Sequence, residues 1–198
     1  MNALFDEWLK LAAYIGNVCV AEKRVIVGAE SCTGGLIAAV LTSVSGSSAW
    51  LDRGFVTYSN EAKIEMLGVS SKTLDAFGAV SVETAREMAT GALQASRATM
   101  AYSVTGVAGP TGGSAAKPVG MVCFGFATAD GVTSFTHHYK GDRSAVREQS
   151  VNFVLSTLAN IATEGALRAP HVSQAKGRVR RALPINSNFR SSPPNFRP

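Results

Sequence analysis

Short β-branched segments alternate with segments of helical periodicity along most of the chain, and this alternation restricts the possible folds more than any other feature. It is typical of layered α/β domains, in which helices cover the apolar faces of a sheet. The dipeptide Asp130-Gly131 between two strand-like segments predicts a hairpin, which adds antiparallel pairing. We therefore predict a three-layer α/β/α fold with a mixed, mostly parallel sheet that includes one antiparallel hairpin. Helices are predicted at 3–22, 33–44, 60–67, 71–77, 82–98 and 143–167, and strands at 24–30, 55–59, 100–105, 119–129 and 132–140.

The composition changes after Ala169, where Arg, Ser, Asn and Pro replace the apolar periodicity. From Arg168 onward the chain has seven Lys or Arg residues and no acid, which leaves 12 basic and 14 acidic residues in 1–167. The formal net charge of +5 therefore belongs to the tail, and the globular part gives no support to nucleic-acid binding. We predict a folded domain over 1–168 and a disordered basic tail over 169–198 that binds nucleic acid weakly at most.

The remaining composition argues for a cytoplasmic protein. Hydrophobic residues make up 46% of the chain, yet no run of about 18 apolar residues exists, so we expect no membrane association. Charged residues such as Asp6 and Lys10 interrupt the N-terminal segment, which argues against a signal peptide. The three cysteines, Cys19, Cys32 and Cys123, lack metal-ligand spacing and favour free buried thiols in a reducing compartment. We expect neither a metal nor another cofactor.

A strand-to-helix junction at residues 30–35 contains the first candidate site. Backbone N–H groups at such a junction are unpaired, and they suit a phosphate or a developing oxyanion. Gly34 and Gly35 remove side chains that would block a ligand. Ser31 is thus a candidate nucleophile, with Thr33, Gly34 and Gly35 as candidate substrate-binding residues. The alternative is that Ser31 or Thr33 only caps the helix.

The histidines offer no evident base for a serine nucleophile. His137 and His138 are neighbours on a predicted strand, so their side chains point to opposite faces, and surface positions are the simpler interpretation. His171 lies in the predicted tail. No pairing of an acid with a histidine is apparent, which leaves a lysine as the other option.

Lys63 is the candidate base, since it follows the predicted strand 55–59 on a short helix. Its pKa would have to fall from about 10.4 toward neutrality, which burial away from carboxylates can achieve. Glu61 and Glu65 are each two residues away and do not face Lys63 on a helix. Tyr58 could relay a proton or orient Lys63. A solvated helix lysine and a half-buried core tyrosine are the alternatives.

The glycine-rich segment Thr105–Gly120 is the third candidate element, and it matches neither the Walker pattern nor the dinucleotide fingerprint. Its glycines allow close backbone approach and a nest of N–H groups for an anion. Lys117 adds a positive charge, and Arg143 with Arg147 places two cations one helical turn apart. A plain connecting loop and a solvated, salt-bridged helix face are the alternatives. The candidate binding residues in these segments are Thr105, Gly106, Gly109, Gly112, Gly113, Lys117 and Arg143.

Taken in order, several motifs resemble the CinA C-terminal domain family over roughly residues 5–165. The matching segments are AESCTGG (29–35), GSSAW and RGFVTYSNEAK (46–63), LGV (67–69), GAVS (78–81), TGVAGPTGGSAAKPVG (105–120) and GDRSAVR (141–147). The chain resembles the stand-alone form, without the extra N-terminal domain of the longer members.

The resemblance implies a metal-independent Ser/Lys amidohydrolase that deamidates nicotinamide mononucleotide (NMN) in pyridine nucleotide recycling. By motif position, it implies Ser31 as nucleophile, Lys63 as base, Tyr58 as a supporting residue and the TGVAGP segment as part of the substrate pocket, with Thr105 at its edge. It also implies self-association into a homo-oligomer. The alternative is a non-catalytic module of the competence-associated type that binds a nucleotide-like ligand or a protein.

Overall fold

The computed structural model describes residues 3–165. The predicted tail at 169–198, the end of the predicted domain at 168 and His171 lie outside these residues. The helices are α1 (Ala3–Ala21), α2 (Leu36–Thr42), α3 (Asn60–Leu67), α4 (Ser71–Phe77), α5 (Val82–Gln94) and α6 (Arg143–Glu164). The strands are β1 (Ile26–Glu30), β2 (Leu51–Val56), β3 (Met100–Gly106), β4 (Met121–Thr128) and β5 (Gly131–His138).

The described strands form one mixed sheet in the order β2-β1-β3-β4-β5. The β1 strand pairs in parallel with β2 and β3, whereas β4 is antiparallel to β3 and to β5. The mixed sheet and the β4–β5 hairpin at Asp130-Gly131 are confirmed. The prediction of a mostly parallel sheet is inexact, because two of the four pairings are antiparallel. A loop without a crossover helix connects β3 to β4, and such a connection permits the antiparallel pairing of these strands.

Helices cover both faces of the sheet, which confirms the three-layer architecture. The alternation of side chains along a strand divides them between two cores. On β1, Ile26 packs with α1, α2 and α6, whereas Val27 and Ala29 pack with α3, α4 and α5. On β3, Tyr102 belongs to the first core and Ala101 to the second. All five residues of β1 are buried, as its β-branched run predicts.

The β2 strand begins earlier than its sequence suggests. The prediction placed a strand at 55–59, but β2 spans Leu51–Val56 and pairs Leu51 with Ile26 of β1. It lies at the edge of the sheet, where polar residues are tolerated and the apolar pattern is weak. The Asp52 carboxylate of β2 forms ion pairs with Arg53 at 2.6 Å and with Arg97 at 2.9 Å. The charged residues that hid the strand pattern in the sequence are therefore neutralised by one another.

The parallel relation of β1, β2 and β3 places their carboxyl ends at one edge of the sheet. Ser31 follows β1, Tyr58 follows β2 and Thr105 lies near the end of β3. Ligands of α/β sheets commonly bind outside this edge.

Candidate active site

Ser31 and Lys63 meet at the carboxyl edge of the sheet. Ser31 directly follows β1 and is 9% exposed. Lys63 lies one turn into α3, whose start is capped by Ser59, since the Ser59 hydroxyl accepts a hydrogen bond from the Ala62 amide at 3.0 Å. The Lys63 Nζ donates to Ser31 Oγ at 3.2 Å. This distance is within the range that proton transfer between a nucleophile and its base requires.

The Lys63 side chain is 1% exposed, which is rare for a lysine. Its Nζ also donates to the carbonyl oxygen of Thr57 at 2.8 Å and to that of Ser59 at 3.4 Å. These oxygens accept hydrogen bonds from an amine in either charge state and carry no full charge of their own. Burial lowers the pKa of Lys63 below its ordinary value, and only the nearby Cys32 opposes this effect. Glu61 and Glu65 are exposed, as the helical spacing predicts, and Lys63 forms no ion pair with either.

A cavity of about 210 Å³ opens above this pair. Six of the predicted site residues line it, together with Cys32, Ala79, Val80 and Ala108. The six are Ser31, Tyr58, Lys63, Thr105, Gly106 and Arg143. A larger groove of about 280 Å³ lies beside α5 and Val132 of β5, but Ser31 and Lys63 do not line it. The cavity above Ser31 therefore holds the chemically competent groups.

Arg143 and Tyr58 form the rim of the cavity. Asp142 caps the start of α6 by accepting from the Ala145 amide at 2.9 Å, and this places Arg143 at the cavity mouth. The Arg143 guanidinium donates to the hydroxyl of Tyr58 at 3.1 Å and to the carbonyl oxygen of Gly109 at 3.0 Å. Tyr58 is 63% exposed and its hydrogen bond goes to Arg143 rather than to Lys63.

The structure does not bring Thr33, Gly34 and Gly35 to the cavity, because hydrogen bonds within their own turn engage them. The Thr33 hydroxyl and the Gly35 amide donate to the Glu30 carboxylate at 2.7 and 2.9 Å. The Gly34 amide donates to the carbonyl oxygen of Ser31 at 3.0 Å.

The loop residues Gly109, Gly112, Gly113 and Lys117 also lie outside the cavity lining. The Lys117 Nζ donates to the carbonyl oxygen of Phe77 at the end of α4, which ties the loop to the segment after that helix. The Thr105 hydroxyl, buried at the cavity wall, donates to the carbonyl oxygen of Ala79 at 2.7 Å. The loop therefore reaches the cavity through its first residues and shapes it by anchoring neighbouring segments.

Neither described histidine lines the cavity. His137 stacks on Tyr139 with ring centroids 5.6 Å apart and packs against Phe153 at 4.3 Å. Burial lowers the pKa of His137, with a smaller effect from His138. Residues 3–165 also contain no grouping of three or more His, Cys, Asp or Glu side chains suited to a metal ion.

The family model for the CinA C-terminal domain matches residues 9–162. The chain belongs to the CinA C-terminal domain family. The ordered motifs that suggested this family therefore identified it correctly.

Curated relatives are identical to this chain at about half of the aligned positions. The chain is 55% identical over 149 residues to a protein of Enterobacter agglomerans named nicotinamide-nucleotide amidohydrolase PncC, covering 75% of this chain and 91% of that protein. It is 51% identical over 155 residues to the protein of that name from Escherichia coli K12, covering 77% and 93%.

Solved structures of the CinA family share the fold. The competence/damage inducible protein CihA of Agrobacterium tumefaciens superposes with a TM-score of 0.76 at 47% identity, covering 78% of this chain and 94% of that one. A CinA superfamily protein of Escherichia coli superposes with a TM-score of 0.75 at 31% identity, covering 82% and 94%.

One residue at the site, Glu30, went unnoticed in the sequence, and Arg147 makes a contact that the sequence did not indicate. Glu30 is fully buried beside Ser31 and accepts five hydrogen bonds. Arg147 donates to the carbonyl oxygen of Thr33 at 2.8 Å, behind the turn that carries Ser31. A carboxylate ending a run of buried strand residues was the available signal for Glu30, since such a group needs several donors. The spacing of Arg147 from Arg143 indicated a shared face but not this contact.

Proposed function

We propose that the protein hydrolyses the carboxamide of NMN to give nicotinic acid mononucleotide and ammonia, with Ser31 as nucleophile and Lys63 as general base. The protein is an amide hydrolase by kinship with relatives named for that activity. The observation that carries the proposal is the 3.2 Å approach of Lys63 Nζ to Ser31 Oγ inside a cavity. Deep burial of the lysine supports its role, because a base must be neutral at working pH.

The first step joins the serine to the substrate. Neutral Lys63 removes the Ser31 hydroxyl proton while Oγ attacks the carboxamide carbon, and the electron pair of the C=O bond moves to oxygen. The resulting oxyanion needs donors. In the turn after β1, the amides of Cys32 and Thr33 donate neither to a described carbonyl oxygen nor to Glu30, whereas their neighbours do. Of the two, Cys32 lines the cavity, and we assign its amide to the oxyanion.

The remaining steps release the products. The Lys63 ammonium returns its proton to the amide nitrogen, the C–N bond breaks, and ammonia leaves an ester on Ser31. Lys63, neutral again, then takes a proton from water, whose oxygen attacks the ester carbon. Breakdown of this second intermediate breaks the bond to Ser31 Oγ, which recovers its proton from Lys63, and nicotinic acid mononucleotide departs.

Arg143 is the cation best placed for the substrate phosphate. Its guanidinium lies at the cavity rim, and two hydrogen bonds occupy part of its five N–H donors. The Lys117 amine is engaged with Phe77, away from the lining. In this proposal Tyr58 orients Arg143, and Thr105 with Gly106 borders the pyridine ring.

An ammonia-release assay with NMN, nicotinamide and NAD side by side tests the proposal. We expect turnover of NMN by the wild type, and a loss of about 10³-fold or more in kcat for Ser31→Ala. Ser103→Ala is the matched control, because Ser103 is also buried but donates to the Ala85 carbonyl oxygen outside the cavity. No ammonia from NMN with wild-type protein would refute the proposed substrate, and NMN binding without turnover of any amide would favour a non-catalytic binding module.

We also infer a cytoplasmic location for this reaction. The three cysteines are buried and free, which suits a reducing compartment. Within the described residues, no helix has the length and apolarity to span a membrane. Self-association and the role of the tail at 169–198 stay predictions.

A further inference from the structure

Glu30, the last residue of β1, is a buried carboxylate next to the nucleophile. It has no exposed surface. Its Oε2 accepts from the Thr33 hydroxyl at 2.7 Å and from the amides of Gly35 and Ile37 at 2.9 and 3.2 Å. Its Oε1 accepts from the Ala38 amide at 2.8 Å and from the Tyr102 hydroxyl at 3.1 Å.

These contacts replace the side-chain cap that α2 lacks. The residue at the cap position is Gly35, which has no side chain to accept from the first amides of the helix. Glu30 performs this function from the end of the strand, so one carboxylate joins β1, the turn after it and the start of α2. Since burial of a charge is unfavourable without such bonds, the arrangement holds only when the turn keeps this geometry.

The backbone of Ser31, the residue after Glu30, is held by hydrogen bonds on both sides. Its amide donates to the Val104 carbonyl oxygen at 2.9 Å, and its carbonyl oxygen accepts from Gly34 at 3.0 Å. Residues 31–34 therefore form a loop closed by Glu30 at the base, with the strand on one side and α2 on the other. The amides of Gly35, Ile37 and Ala38 are directed to Glu30 and away from a substrate.

We propose that Glu30 is a positioning residue, which holds Ser31 Oγ against Lys63 Nζ and keeps the turn amide of Cys32 available for the oxyanion. This inference rests on the proposed role of Ser31 as nucleophile. Its second consequence is electrostatic. A negative charge that occupies the first amides of α2 disfavours a phosphate there, which leaves the Arg143 guanidinium at the cavity rim as its partner.

Glu30→Gln tests the proposal, because the amide keeps the size of the side chain but replaces one acceptor oxygen with a donor. Glu87→Gln is the matched control. Glu87 also accepts from a helix-start amide and a threonine hydroxyl, those of Ser70 and Thr73, but it does not line the Ser31 cavity. We expect Glu30→Gln to lower kcat for NMN by about 10- to 100-fold with KM changed less than about threefold. Glu87→Gln should leave both constants at wild-type values.

A second readout does not depend on the substrate. Covalent labelling of Ser31 by a fluorophosphonate reports how well the hydroxyl is placed against its base, and we expect the labelling rate to fall with kcat in Glu30→Gln. Both variants are measured well below their melting temperatures, so that loss of folded protein does not lower the rates. If Glu30→Gln does not fold, Tyr102→Phe and Thr33→Val each remove one donor to Glu30 and should lower kcat and labelling in the same direction.

The outcomes separate this inference from the proposed function. Wild-type protein that is labelled at Ser31 but releases no ammonia from NMN refutes the substrate, and the labelling rates still decide the role of Glu30. Wild-type kcat and labelling rate in Glu30→Gln, or an equal loss in Glu87→Gln, would overturn the positioning role. Absence of labelling and turnover in the wild type would remove the nucleophile on which the inference depends, and would overturn it as well.

Discussion

Replacing Lys63 with methionine removes the amine from the cavity floor while retaining an unbranched side chain of similar length. Because the folded state lowers the pKa of Lys63, the folded protein binds fewer protons than the unfolded chain between that lowered pKa and the ordinary value near 10.5. The free energy of unfolding of the wild type therefore increases with pH across this interval. Below the folded-state pKa the protein bears the full cost of the buried charge, and above the unfolded-state value it bears none.

The contacts of Lys63 give the size of the effect. Its Nζ makes three hydrogen bonds, each contributing about 1 kcal/mol net, so Lys63→Met should cost about 2–3 kcal/mol at high pH, where the amine is neutral. As pH falls, the wild type loses stability because its buried Lys63 becomes protonated. Methionine does not titrate, so the difference in stability between the two proteins decreases. One proton corresponds to a limiting slope of about 1.4 kcal/mol per pH unit.

Urea unfolding between pH 6.5 and 9.5 measures the difference, followed by the fluorescence of the buried Trp8 and Trp50. The wild-type advantage over Lys63→Met should increase with pH. Other buried groups also change their pKa on folding, for example Cys19, whose pKa burial raises to about 11, but Lys63 does not contribute to that shift, so it cancels in the comparison of the two variants.

Lys72→Met is the control for charge removal as such, because Lys72 is exposed on α4. Its stability curve should run parallel to that of the wild type. A pH-independent difference between wild type and Lys63→Met would show that Lys63 titrates alike in the folded and unfolded states. The argument that burial prepares it as a base would then be refuted.

Two further substitutions test the cavity rim and the packing of α3 against α5. Arg143→Met should raise KM for NMN by about 10- to 100-fold with a smaller change in kcat, since the guanidinium at the rim binds the phosphate in the ground state; an unchanged KM would place the phosphate elsewhere. Gly91→Ala should lower the free energy of unfolding by about 1–3 kcal/mol in a thermal or urea titration, because its Cβ would meet the Leu67 carbonyl oxygen at 1.8 Å. Alanine favours helices by up to about 1 kcal/mol, so a stabilised variant would show that α3 and α5 separate easily.

Local pattern was sufficient for most of the secondary structure. The buried run before Ser31 predicted β1, and Asp130-Gly131 predicted the β4–β5 hairpin. The prediction failed on β2, because an edge strand with Asp52 and Arg53 at its start does not show the apolar alternation of a covered strand. The direction of β4 also escaped prediction, since a long loop leaves the pairing of the strands it connects undetermined.

The sequence named Ser31 and Lys63 as candidate reactive groups but did not show the contacts around them. A hydroxyl at a strand end requires a base and the histidines offered none, which left Lys63 as an option. The family resemblance then implied the roles of Ser31 and Lys63. The five donors to Glu30 were not visible. Two come from the turn after β1, two from the first residues of α2, and one from Tyr102 on β3. The same contacts explain why Gly35 does not reach the cavity, although a glycine-rich helix start usually indicates a ligand site.

By itself the sequence determined the order of helices and strands, the family, and a serine and a lysine as candidate reactive groups. Only the tertiary structure decided that they lie 3.2 Å apart, that the lysine is buried, and that Glu30 occupies the amides at the start of α2. The physical reason is that periodicity and turn chemistry act over a few residues. Ser31 and Lys63 are instead brought together by the parallel register of β1 and β2 and by the docking of α3, which depend on contacts between distant segments.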